Sequence, residues 1–221
     1  MERKTALKSR AAAVKSKAAK KTRKMMSGEE RRAQIVKVAS DLFSKKGFKG
    51  TTTREIARGA GISEAVIFKH FSHKEDLYKA IIDSRCIVSE GESCLISMLK
   101  GKKGAEVFRT VAVYMLEEHH KDPSFMRLLT YSALEQHTLS ELFVKTRALE
   151  LLGFLEDKIN EMIREGWMRE VDPALAARAF IGMVVHYSIA QEIYGFKRYF
   201  KRPLEEVAES FVDIFLEGTR R

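Results

Sequence analysis

Residues 35–77 read IVKVASDLFSKKGFKGTTTREIARGAGISEAVIFKHFSHKEDL, and these 43 positions decide the fold. Just upstream, Ser27 with Glu30 three positions on forms a capping box, the hydroxyl facing one orphan amide and the carboxylate another. Ile35, Val38, Ala39, Leu42 and Phe43 then recur at helical spacing and make one apolar stripe. Gly47 ends this helix as a left-handed residue, with Phe48 packing beneath it. Thr52 with Glu55, and Ser72 with Glu75, repeat the capping pattern. Between them Ala60, Gly61, Ile62 and Ser63 make a tight break, with Ser63 placed to start the next helix. Three helices therefore fill residues 27–72, the second and third short and joined by a glycine turn. That is the grammar of a helix-turn-helix.

Working outward, the rest of the chain is helical as well. One pattern runs from Lys74 towards Lys100 and is broken between Gly101 and Gly104. Further helices are predicted over 104–120, 123–136, 139–165, 173–195 and 203–218. Asp122 before Pro123, and Asp172 before Pro173, pair a capping residue with a proline whose missing N–H is not needed there. Gly166 and Gly195 are the expected stops. No strand-like alternation is visible, so the fold class is all-α, with about nine helices. The expected organisation is a basic arm over 1–26, a helix-turn-helix domain over 27–73 and a larger helical domain over 74–221.

The net charge of +10 is concentrated at the start. Residues 1–26 carry ten basic side chains against Glu2 alone, or +9, which leaves 30 basic and 29 acidic groups elsewhere. The arm has almost no large apolar residues, cannot bury a face, and is expected to be disordered when free. It lacks the apolar core of a signal peptide. The longest uncharged stretch, AFIGMVVHYSIAQ over 179–191, falls short of the roughly 20 apolar residues of a membrane span, so no membrane association is expected. If Cys86 and Cys94 share one helix, their Cα atoms lie roughly 12 Å apart, beyond the roughly 7 Å reach of a disulfide. Reduced thiols and a cytoplasmic location follow.

The stretch quoted above resembles the DNA-binding domain of the TetR family. The paired threonines, Ile56 with Ala57, the Ala60–Ser63 turn, the Phe68-Lys69-His70-Phe71 segment and Lys74 with Glu75 fall in that family's order and spacing. Beyond it the resemblance is one of helical layout only. Read from the residues alone, Ala57 must be small where two helices cross, Gly61 makes their turn, and Ile62, Ile67 and Phe71 fill the interior beside Ile56 and Leu42. A helix starting at Ser63 can lie in a major groove with its first residues against base edges. Glu64 has two readings: a carboxylate favoured by the helix dipole, or an acceptor for cytosine N4. Ala65 and Val66 either touch thymine methyls or simply allow close approach. Phe68 replaces the family's common tyrosine, which removes a phenolic hydrogen bond to phosphate. Lys69, His70 and Lys74, with Thr52, Thr53 and Arg54 at the start of the second helix, are the candidates for backbone phosphates.

The resemblance also implies a homodimer, most often a repressor, on a palindromic double-stranded DNA operator, released by an unidentified small-molecule effector that is expected to be largely apolar. Tyr114, Met126, Tyr131, Phe154 and Met183 are the candidates for lining its pocket. Leu204, Val207, Phe211, Ile214 and Phe215 form the expected dimer seam on the last helix. Trp167 is expected to plug packing, and His186 to be a hydrogen-bonded buried histidine or a polar group of the pocket. His119 and His120 are adjacent, point about 100° apart on a helix, and cannot share an ion alone. No cofactor, metal set, catalytic constellation or phosphate-cradling glycine loop is legible, so an enzyme is not expected. The rival reading is an architectural nucleoid protein dominated by the basic arm.

Overall fold

A computed structural model describes residues 26–86, 94–136 and 138–221. The basic arm, Met26 apart, lies outside the described residues. So do residues 87–93, on which the one-helix argument for Cys86 and Cys94 depends. The chain divides after Arg32. In the first part the expected capping box forms: Glu30 N–H donates to Ser27 Oγ at 3.1 Å and Ser27 N–H to Glu30 Oε2 at 2.7 Å. It opens α1 (Gly28–Lys46).

From Ala33 onward the elements are the rest of α1, then α2 (Thr53–Ala60), α3 (Glu64–His70), α4 (Asp76–Cys86), α5 (Cys94–Leu99) and α6 (Ala105–Lys121). They continue with α7 (Ser124–Leu134), α8 (Thr138–Phe143), a π-turn (Val144–Ala148), α9 (Leu149–Arg164), α10 (Pro173–Glu192), a short 3₁₀ turn (Phe196–Arg198) and α11 (Leu204–Thr219). Among the described residues there is no strand, only a lone bridge between Met168 and Arg220. The fold is all-α.

Two apolar cores organise these helices. In the first, Phe43, Phe48 and Tyr78 stack with ring centroids 4.7–5.4 Å apart, beside buried Ile35, Ile56, Ile67 and Phe71. Val36 is buried here and Val38 only partly. Val38 instead passes beneath Gly59, where its Cγ1 stands 2.7 Å from any Cβ that might be added, so α1 and α2 approach closely only because that residue is glycine. Leu128 of α7 and Leu139 of α8 are buried in the same core. In the second core, Phe108 of α6, Phe180 of α10 and Phe215 of α11 form a triangle of rings 5.0, 5.0 and 5.2 Å apart.

Several expectations change. Of the pattern expected from Lys74 towards Lys100, the two ends are described, as α4 and α5, and residues 87–93 between them lie outside the described residues. The start of α4 is capped by Asp76, whose Oδ2 accepts from His73 N–H at 2.8 Å, in place of a Ser72–Glu75 box. Trp167 is 72% exposed and plugs nothing. His186 is exposed on the outer side of α10. Of the expected seam, Val207 and Phe215 are buried in this chain's own core, Phe211 is half-buried edge-on to Tyr187, and Leu204 lines a cavity. Ile214 alone of the five is exposed. It shares an open groove with Leu175, Ala179 and Met183 of α10. Helix α10 has the length and mean hydropathy, 1.3, of a membrane span. However, its Ala177, Phe180 and Val184 pack into the second core. Of the expected pocket residues, Met126 is buried, Tyr114, Phe154 and Met183 edge the second core, and Tyr131 is exposed.

Candidate nucleic-acid interface

The interface is built on two short helices and the turn between them. Thr52 caps α2 in a full capping box: its Oγ1 accepts from Glu55 N–H at 3.2 Å, and Glu55 Oε2 accepts from Thr52 N–H at 2.9 Å. Glu55 is also hydrogen-bonded by Lys46 at 2.6 Å, and that bond, with those from Thr52, brings its pKa down to about 2. The carboxylate thus ties the end of α1 to the start of α2. The Lys46 bond was not visible in the sequence, because nothing local links positions nine apart across a loop.

Gly61 turns the chain in the left-handed region, φ 65°. The N–H groups of Gly61 and Ile62 donate to the carbonyls of Arg58 and Ala57 and close the end of α2. A side chain at this φ is strained, which is why glycine occupies it. Ser63 stands at the N-cap position of α3 with extended backbone, but its hydroxyl makes no capping bond.

Helix α3 then divides cleanly. Ile67 is its buried anchor, at 1% exposure. Ser63, Ala65, Phe68 and Lys69 face outward and exposed, while Glu64, Val66 and His70 are half-exposed at the margins. Small residues at Ala65 and Val66 leave this face low, so a groove floor can approach the backbone. Thr52 and Arg54 are exposed beside it, and Thr53 is half-buried.

Two of the expected contacts are engaged within the protein. Glu64 accepts from the Thr53 hydroxyl at 2.7 Å and from Arg54 Nε at 3.2 Å, and these bonds, the threonine's first, lower its pKa. The carboxylate therefore joins the starts of α2 and α3 and orients Arg54 along the interface. Lys74 turns inward: its Nζ donates to Phe48 O at 2.5 Å and sits 3.9 Å from the centroid of the Phe48 ring. Burial lowers its pKa despite nearby carboxylates. In this geometry its ammonium supports the α1–α2 loop and does not project with Lys69.

Sequence reasoning missed Glu135. Its Oε2 accepts from Phe48 N–H at 3.2 Å and lies 3.5 Å from Lys49 N, while Oε1 fills the space that a Cβ on Gly47 (φ 71°) would need. A residue at the end of α7 thus holds the loop that leads into Thr52 and Thr53. Among the described residues, no cluster of three His, Cys, Asp or Glu side chains is placed to hold a metal ion.

A capped helix, a left-handed glycine turn and a second short helix with a low, partly basic outer face define a helix-turn-helix protein. Comparison with known proteins extends this. Residues 35–81 match the family described as bacterial regulatory proteins, tetR family, and residues 105–218 match the AefR-like transcriptional repressor, C-terminal domain. The chain belongs to the TetR family of DNA-binding transcriptional regulators. It is 24% identical over 185 residues to the HTH-type transcriptional regulator YvkB of Bacillus subtilis, covering 84% of this chain and 95% of that protein. It is 26% identical over 188 residues to the nucleoid occlusion factor SlmA of Alteromonas mediterranea, covering 82% and 92%. Among solved structures, AibR in complex with isovaleryl coenzyme A and operator DNA superposes with a TM-score of 0.63 at 23% identity, covering 83% of this chain and 97% of that one.

Proposed function

We propose that the protein is a homodimeric, sequence-specific repressor that binds a palindromic operator through α3 and is released by a small organic effector. The observation that carries this reading is the outer face of α3, where Ala65, Phe68 and Lys69 are exposed and Val66 is half-exposed on a helix anchored by Ile67. The proposed division of labour is a DNA-reading part over 27–73, a sensing and dimerising part over 74–221, and an arm over 1–26 that adds sequence-independent affinity.

In this reading Ala65 and Val66 meet base edges, and Lys69, His70, Arg54 and the Thr52–Thr53 pair hold phosphates. Glu64 positions Arg54 more than it reads a base. The likeness to AibR, whose solved complex holds both an acyl coenzyme A and operator DNA, supports coupling between effector and DNA. Linkage then requires the effector to bind more tightly to the arrangement that cannot engage DNA. A series of contacts is suited to carry such coupling. Arg127 of α7 donates to Glu192 O at 3.1 Å, Leu128 of α7 lies in the first core, and Glu135 holds the Phe48 amide.

The architectural reading is favoured by two observations, the +9 charge of residues 1–26 and the likeness to a nucleoid occlusion factor. Substitutions on α3 separate the two. Lys69→Ala should weaken binding to all sequences alike and reduce the salt slope by about 1, since phosphates carry no sequence identity. Val66→Ala should change base preference, by about 1–3 kcal/mol at the affected position. Fluorescence anisotropy on operator variants across salt measures both. An altered base preference in the lysine variant with none in the valine variant would contradict this docking.

A further inference from the structure

A cavity of about 360 Å³ lies among the C-terminal ends of α6 and α10 and the segment that leads into α11. That volume is at the small end of small-molecule sites, roughly 300–1,000 Å³. None of the five expected pocket residues lines it. Its apolar walls are Leu116, Tyr187, Phe200 and Leu204, and three of the residues at its charged side are Lys197, Lys201 and Arg202.

The charges do not cancel. Glu192, 6% exposed, is the acidic member, and it is already engaged by Lys197 at 2.6 Å and His120 at 2.9 Å. Burial opposes its charge, but the bonds from Lys197 and His120 outweigh that and hold its pKa below the usual range. Lys201 and Arg202 make no ion pair with any described carboxylate and are exposed at the rim. The cavity therefore carries a surplus of positive charge around apolar walls. A cationic ligand would meet that surplus with no carboxylate left to receive it.

One of the lining residues carries an acceptor without a partner. Gln191 is 8% exposed, and its Nε2 donates to Phe200 O at 3.2 Å, which holds the loop in place. Its Oε1 is buried with no hydrogen-bond partner. A buried polar atom without a partner costs about 1–3 kcal/mol, and native proteins leave few of them unexplained. The neighbouring polar groups are satisfied: the Ser188 hydroxyl donates to Val184 O at 3.1 Å, so its oxygen accepts from His119 Nδ1 at 3.0 Å. The unsatisfied requirement is for one donor.

From this lining we infer a binding site for an organic anion with an apolar body and an N–H or O–H donor. The anionic group meets Lys201 and Arg202, the body lies on Leu116, Tyr187, Phe200 and Leu204, and the donor reaches Gln191 Oε1. The site stands on its own geometry. Its role as the effector site rests on the reading proposed above, through Arg127, which binds the carbonyl of Glu192.

The test uses two fluorescent probes on the full-length protein without DNA. Anilinonaphthalene sulfonate and phenylnaphthylamine share rings and an amine donor and differ by the sulfonate. One sulfonate probe per chain is expected, bound at least about tenfold more tightly than the neutral one, the gain expected of a charge-assisted hydrogen bond. The K201A/R202A double variant, altered only at exposed positions, should bring the sulfonate probe to the neutral probe's affinity. Gln191→Leu should weaken both probes by roughly threefold to tenfold, and Leu116→Trp should abolish both by filling the cavity. If Leu116→Trp fails to fold by circular dichroism, the double variant and the probe pair still decide. Equal affinity for the two probes, or an undiminished sulfonate preference in K201A/R202A, would overturn the inference. So would several sulfonate probes per chain that Leu116→Trp leaves in place. Because no DNA is present, such a failure leaves the DNA-binding reading intact, and a failure to bind operator leaves the site intact.

Discussion

Phe108→Ala should remove about 3–5 kcal/mol of stability. Phe108 is fully buried, and its ring contacts both other members of the aromatic triangle, Phe180 and Phe215. Those three rings come from α6, α10 and α11, so deleting one opens a cavity where three helices meet. Rigid helices close such a hole only in part, and the lost transfer energy and the cavity add. For a chain of this size a loss of 1 kcal/mol lowers Tm by roughly 2–4 °C, so a fall of about 6–20 °C is expected. Phe211→Ala, at a half-buried ring edge-on to Tyr187, should cost clearly less. Thermal unfolding followed by circular dichroism measures both, and equal losses would mean that the triangle is not the centre of the core.

Leu175→Glu combined with Ile214→Glu should leave the fold intact and convert the protein to monomers. Both side chains are 63% exposed in the single chain and border one groove between α10 and α11. Exposed apolar surface of that kind marks a partner surface. Substitution at exposed positions changes stability little, so any loss reports the interface, which Phe215→Glu, made in the buried core, could not. Two half-sites bound by one dimer gain from effective concentration, commonly by a factor of about 10²–10⁴. Operator affinity should fall by that factor, while affinity for a single half-site changes little. Sedimentation velocity at micromolar concentration, with anisotropy on both DNAs, gives the result. A wild-type monomer, or a double variant that still sediments as a dimer, would contradict this interface.

The features legible in the sequence were those written in neighbouring residues. The Thr52–Glu55 box, the Gly61 turn and the Asp172–Pro173 start each depend on atoms within a few positions, and the structure forms all three. The apolar stripe of α11 was equally visible, but a stripe does not say which neighbour fills it. Val207 and Phe215 serve this chain's core, and Ile214, about 100° around from Phe215, was left for the outside. Contacts between distant positions were invisible. Glu135 meets the Phe48 amide 87 positions away, and Lys74 was drawn inward by the Phe48 carbonyl and ring. Glu64 was open to two readings until Thr53 and Arg54 were seen to hold it. The charged cavity by Gln191 needed residues from α6, α10 and the following loop together, and no periodicity brings these into one view.

Selection of bound fragments from genomic DNA by the full-length protein asks whether α3 reads sequence as part of a dimer. An enriched inverted repeat is expected, with half-site centres about 34 Å, one helical turn, or a multiple of it apart. The selected site should bind at least about 10³-fold more tightly than random DNA at physiological salt. Fragments with no shared motif, bound no more tightly than random DNA and with a salt slope lost on deleting residues 1–24, would contradict sequence reading by α3 and leave a basic arm that coats DNA.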